Sequence, residues 1–218
     1  MDKPPFPRAI SKTMFDRKTA IPALFLTVLL CAAAWFFADI GLARYFHRFR
    51  WASWMGIWDV ITLAGQSEWY LAGGLVVFLG FRKKNRRSSL AGLFIFMSVA
   101  VSGLAADLLK VIFGRARPML LFDHGTYGLG WFRFVHEWTS FPSGHSATAL
   151  SVAVALSLLQ PRYRLLFLAG GLLVAASRVV LCQHYLSDVL AGSMLGAATA
   201  ILLYQRLFIT KFDEIRNI

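Results

Sequence analysis

Three short segments of this chain carry polar side chains that a mostly apolar sequence has no packing reason to hold: Lys110–Pro118 (KVIFGRARP), Phe141–Ser146 (FPSGHS) and Ser177–Asp188 (SRVVLCQHYLSD). Ionisable groups within or beside apolar spans are costly, so they are functional suspects by default. Lys110, Arg117 and Arg178 are three cations that could meet one anion. A phosphate near neutral pH carries about −1.5 to −2 charge, and phosphoryl transfer spreads charge over its equatorial oxygens. Guanidinium groups match those oxygens two at a time, while a lysine acts as a point charge. Any one of these residues alone would serve equally well as a headgroup anchor.

The other polar residues fit the same chemistry. Ser143 and Gly144 stand just before an apolar run, where Ser143 can cap a helix whose free N–H groups bind an anion. Gly144 would let the backbone approach a phosphate closely. His184 and Asp188 are four apart, a spacing that places them on one helix face. A carboxylate taking the Nδ1 proton would fix the tautomer and leave Nε2 free to attack phosphorus. His145 is then the proton donor to the departing oxygen. A His/Asp pair at this spacing is by itself more often structural or metal-binding, and His145, His184 and Asp188 could supply three zinc ligands. Three cations around one point would repel a dication, so no metal and no cofactor is expected. A Ser-His-Asp hydrolase is disfavoured because no Gly-x-Ser-x-Gly elbow is present.

In order and spacing, the three segments resemble the signature of the type-2 phosphatidic acid phosphatase superfamily: Lys-x6-Arg-Pro, then Pro-Ser-Gly-His, then Ser-Arg-x5-His-x3-Asp. Every position of that pattern is matched between Lys110 and Asp188. The resemblance implies that His184 forms a phosphohistidine, that Asp188 orients it and that His145 protonates the leaving group. Water attacks in the second step, and a second lipid in its place would give a phosphotransferase. Vanadium haloperoxidases, which are related, bind vanadate in such a pocket, but nothing in these residues requires it. The substrates implied are lipid phosphates: undecaprenyl diphosphate, phosphatidylglycerophosphate, phosphatidic acid or lipid A 1-phosphate. A non-enzymatic anion-binding membrane protein or channel would gain nothing from the His184–Asp188 spacing.

The elements that must position these residues are membrane helices. The 218 residues are 57% hydrophobic and only 16% charged, with a mean hydropathy of +0.58. Soluble domains average about 25% charged residues. The net charge of +12 lies in short clusters between apolar runs, which suits membrane flanks and acidic headgroups rather than nucleic acid. Apolar runs fall at about 21–38, 68–81 (with 57–66 as a possible extension), 90–113, 145–159, 165–181 and 188–207. Each is compared with the roughly 20 residues a spanning helix needs. The expectation is an all-α bundle of about six transmembrane helices, one membrane-embedded domain over 1–218. The alternation a lipid-facing barrel needs is absent.

The first run follows a basic segment, 1–20, yet is long for a signal sequence and lacks a small-x-small cleavage site, so it reads as an uncleaved anchor. With the N-terminus in the cytoplasm, 15 of the Lys and Arg residues (those of 3–18, 82–87, 162–164 and 206–216) face inward. The remaining 8, Arg44, Arg48, Arg50, Lys110, Arg115, Arg117, Arg133 and Arg178, face outward. That asymmetry puts both termini in the cytoplasm and the motifs outside, in a bacterial inner membrane the periplasmic side. Two outward segments, 45–58 and 131–138, are rich in aromatic residues of the kind that sit at headgroup level. Cys31 and Cys182 read as packing residues, and Gly192 with Gly196 as a close helix contact. Asp107 is a candidate partner for Lys110. The sequence does not select the oligomeric state.

Overall fold

Apolar runs separated by caps and turns become helices, and the computed structural model, which describes residues 17–216, contains helices joined mostly by short connections, with a longer one over 125–143 that holds a 3₁₀ turn at His136–Trp138. The helices are α1 (Arg17–Phe37), α2 (Asp39–His47), α3 (Met55–Leu63), α4 (Ser67–Phe81) and α5 (Arg86–Phe113), then α6 (Pro118–His124), α7 (Gly144–Leu159), α8 (Arg164–Val180), α9 (Leu186–Leu203) and α10 (Ile209–Arg216). A π-helical segment, Tyr204–Phe208, joins the last two. Among the described residues there is no strand, only an isolated bridge between Arg115 and Leu129. Most of the basic segment 1–20 lies outside the described residues.

Helix ends follow local chemistry. The Asn85 side chain accepts from Ser88 N at 3.0 Å and opens α5, and Gly114, at φ 51°, closes it in the left-handed region. That region costs glycine little. At 28 residues and about 1.5 Å per residue, α5 exceeds the roughly 30 Å hydrocarbon layer.

Among the described residues, four helical stretches are long and apolar enough to cross a membrane: Lys18–Phe37, Arg86–Phe113, Pro161–Val180 and Leu186–Ile215. The sequence leads one to expect about six. The run beginning near residue 57 is instead broken by the turn at 64–66 into α3 and a 15-residue α4. The 16-residue α7 is also short for a span. Its position explains its composition: every residue from Ser146 to Ala155 is buried, because α7 packs against α5, α8 and α9 at once. A helix enclosed on all sides shows no polar face.

Small residues allow this close packing. A Cβ on Gly171 of α8 would come within 2.7 Å of Ala153 Cβ on α7, and one on Gly196 of α9 would collide with the Ala147 carbonyl. Lipid supplies no hydrophobic drive between helices, so such close backbone approach carries much of the association. Two apolar clusters sit toward opposite ends of the bundle. One contains Phe94, Val154, Tyr204 and Phe208; the other contains Leu150, Val174, Val179 and Val189 and lies beneath the three motifs.

Candidate active site

Each motif falls at a helix end, and the packing of α5, α7, α8 and α9 brings those ends together. Lys110 stands in the last turn of α5. Its Nζ donates to Asp107 Oδ1 at 2.7 Å and lies over Gly144, where an added Cβ would sit 3.1 Å from it. Gly144 is the first residue of α7, and Ser143 caps that helix by accepting from Ser146 N. A side chain on Gly192 of α9 would collide with the Ser143 carbonyl, so the helix start and α9 are in backbone contact.

Arg117 is buried and held from one side by main-chain oxygens. Its Nε donates to His136 O at 3.0 Å and its Nη2 to Thr139 O at 3.3 Å. Arg178, in the last turn of α8, donates from Nη1 to Thr62 Oγ1 at 2.7 Å. His145, in the first turn of α7, rests on Gly65, where a Cβ would come within 2.9 Å of its ring. Arg178, His184, Lys110 and Arg117 all lie close enough to His145 to act on its charge. The predicted residues therefore converge.

The surroundings of His184 differ from the expected pairing on one helix face. His184 precedes α9, in a tight turn closed by the Arg178 carbonyl, which accepts from Gln183 N at 3.0 Å and His184 N at 3.1 Å. Cys182 takes a φ of 51° to make that turn. The Nδ1 atom of His184 lies 2.7 Å from Ser140 O and 3.7 Å from Asp188 Oδ2. A carbonyl can only accept, so Nδ1 carries the proton and Nε2 the lone pair. Asp188 does not take that proton directly. Its carboxylate accepts from Ser140 Oγ at 2.6 Å and Tyr185 N at 2.8 Å, and it pairs with Arg115.

Burial lowers the pKa of His184 to about 4, with Arg117 and Arg178 adding to the effect and Asp188 opposing it. The imidazole is therefore neutral at ordinary pH, as a nucleophile must be. Burial likewise raises the Cys182 thiol to about 11, which fits a packing residue rather than a reactive one. Among the described residues no group of three His, Cys, Asp or Glu side chains is placed to hold a metal ion.

Sequence reasoning missed four contributors: Thr62, Ser140, Asp39 and the buried role of Arg115. From sequence Arg115 reads only as an outward charge, yet it is fully buried between Asp39 and Asp188. The signal available for Asp39 is a carboxylate at the edge of the first apolar run.

A family model described as the PAP2 superfamily matches residues 91–211. The chain belongs to the PAP2 superfamily. A lipid A 1-phosphatase of Rhizobium johnstonii is 36% identical over 143 residues, which cover 60% of this chain and 59% of that protein. The chain thus spans about three fifths of that relative's length. Two PAP2-type crystal structures share the fold. The transmembrane phosphatidylglycerolphosphate phosphatase of Bacillus subtilis aligns with 89% of this chain and 95% of its own at a TM-score of 0.59 and 23% identity. LpxE of Aquifex aeolicus aligns with 75% and 93% at 0.58 and 21%. All three PAP2 motifs lie inside the matched residues, whereas α1, α2, α3 and α4 lie before them.

Proposed function

We propose that this protein is a metal-independent lipid phosphatase that hydrolyses a phosphomonoester or diphosphate of a membrane lipid through a phosphohistidine at His184. One observation carries the reading: His184 Nδ1 lies 2.7 Å from the Ser140 carbonyl, a contact that commits the ring proton to Nδ1 and leaves Nε2 free to attack.

In this reading Lys110, Arg117, Arg178 and the N–H of Gly144, at the helix start that Ser143 caps, hold the phosphate oxygens, while the Ser143 N–H is committed to Asp188 O at 3.0 Å. Nε2 of His184 attacks phosphorus, and the phosphorus–oxygen bond to the lipid breaks as His145, entering the step as the imidazolium that the bound phosphate's negative charge favours, gives its proton to the leaving oxygen. Water then attacks the phosphohistidine. His145 takes a proton from that water, the nitrogen–phosphorus bond breaks, and inorganic phosphate leaves. A positioned acid–base group of this kind contributes about 10²- to 10⁴-fold, and oriented charge at the transferring phosphoryl group supplies much of the rest.

The relative named as a lipid A 1-phosphatase favours lipid A 1-phosphate among the candidate substrates. The Lys/Arg asymmetry supports a site on the periplasmic side of a bacterial inner membrane, with both termini cytoplasmic. A six-crossing path is reached if α4 and α7, both shorter than a full span, cross as well. The whole chain then forms one membrane domain.

The test is phosphate release by purified protein in detergent from a panel of lipid A 1-phosphate, phosphatidic acid, phosphatidylglycerophosphate and undecaprenyl diphosphate. Release that persists in strong chelator, fastest with lipid A 1-phosphate, is the expected result. Loss in chelator with rescue by zinc or magnesium would contradict it. A phosphorylated acceptor lipid without free phosphate would make the protein a phosphotransferase instead.

A further inference from the structure

Arg115 is fully buried and sandwiched by aromatic rings, with its Cζ 4.1 Å from the centre of Trp35 and 4.5 Å from that of Tyr185. Its Nη1 donates to Asp188 Oδ1 and, at 2.6 Å, to Ser187 Oγ. Its Nη2 donates to Asp39 Oδ2 at 2.7 Å and Tyr127 Oη at 3.1 Å. Asp39, the first residue of α2, is itself buried, and its Oδ1 accepts from Ser187 N at 3.0 Å. One carboxylate therefore pins both the guanidinium and the start of α9, next to Asp188.

The chain of bonds continues to His184. Ser140 N donates to Arg115 O at 3.0 Å, and Ser140 Oγ donates to Asp188 Oδ2 at 2.6 Å. Ser140 is thus held at its amide by the Arg115 backbone and at its hydroxyl by the carboxylate that Arg115 steadies. Its remaining carbonyl takes the Nδ1 proton of His184 at 2.7 Å. Two carboxylates and one guanidinium leave one net negative charge behind the imidazole. That charge opposes the positive charge that grows on the ring as the Nε2–phosphorus bond forms.

We propose that Asp39 and Arg115 are positioning residues for the nucleophile, acting on His184 through Asp188 and Ser140. The proposal rests on the reading of His184 as the nucleophile. Asp39 lies outside the residues that match the family, so the motif pattern does not mark it. It has no hydrogen bond to Lys110, Arg117 or Arg178, so its removal should slow the chemical step and spare substrate binding.

The test uses the full chain in detergent and the lipid monophosphate that the wild type hydrolyses fastest. Asp39→Asn should lower kcat about 10- to 100-fold, the usual range for a group orienting a reacting one, with KM within about twofold. Tyr127→Phe, which removes the hydroxyl that accepts from Arg115 and donates toward Asp39 Oδ2 and Trp35 O, should lower kcat a few-fold. Asp39→Asn combined with Ser140→Ala should be little worse than the more severe single variant, because both act on the same carboxylate. Ser89→Ala, which removes a buried bond to Phe78 O elsewhere, should cost stability without lowering kcat.

Unchanged kcat in a folded Asp39→Asn protein, a KM effect alone, or fully additive losses would overturn the proposal. So would an equal loss of kcat in Ser89→Ala. If Asp39→Asn does not fold, unchanged kcat in Tyr127→Phe overturns it. His184→Ala in the same assay separates the two claims, since turnover there would remove the nucleophile itself.

Discussion

His184 combines burial, at 3% exposure, with a proton fixed on Nδ1 by a carbonyl 2.7 Å away. Its ionisation therefore has a definite sign. A free imidazole titrates near pH 6.5, whereas burial lowers His184 to about 4. As pH falls through the unfolded value, the unfolded chain takes up a proton that the folded protein refuses. Stability contributed by neutral His184 is full above about 6.5 and declines toward 4. Isotope-labelled histidine NMR of the ligand-free protein should show His184 neutral and Nδ1-protonated at pH 5.5. A midpoint near 6.5 would contradict that environment. The same residue marks how far the sequence could be read. The types and spacing of Lys110, Arg117, Ser143, Gly144, His145, Arg178, His184 and Asp188 were sufficient to gather them in one place. The Nδ1 partner was not legible, because Ser140 acts through a backbone carbonyl that any residue possesses.

Helices were legible where their ends carry signals. The Ser143 cap and the end of α5 at Phe113 lie at the bounds expected from sequence, whereas the Asn85 cap starts α5 at Arg86, four residues before the expected run. The sequence left open whether 57–66 continues into the run at 68–81; the chain breaks there, and Gly65 has a tertiary reason that sequence does not show, since a Cβ would press on His145 and Val174. Glycines also set the contact of α9 with α7. Gly196→Ala should force the helices apart and lower stability by about 1–3 kcal/mol, the common cost of overpacking. Gly192→Ala pushes on the Ser143 carbonyl at the phosphate cradle, so it should reduce turnover by more than its loss of thermal stability explains. Thermal melting in detergent, run beside kcat for both variants, checks the contrast. Equal behaviour of the two would mean that Gly192 serves packing alone.

At the scale of the molecule, the proposed orientation separates two exposed positions, Gly125 and Asn85. With Cys31 and Cys182 replaced, a cysteine at Gly125 should react with an impermeant thiol reagent in intact spheroplasts. One at Asn85 should react only after lysis. The reverse pattern would move the site, and its lipids, to the cytoplasmic leaflet. The 57% hydrophobic content with only 16% charged residues made the membrane setting readable, and the clustering of the Lys and Arg residues gave the expected orientation. The Asp39–Arg115–Asp188 cluster was hidden because it joins residues far apart in sequence. The account turns on a covalent intermediate, which can be observed directly. Wild-type protein mixed with a ³²P-labelled lipid phosphate and quenched in base within one turnover should carry acid-labile, base-stable label on one histidine-containing peptide, Val179–Arg206 after tryptic cleavage. His184→Ala should carry none and release no phosphate. Label or turnover persisting in His184→Ala would contradict the mechanism.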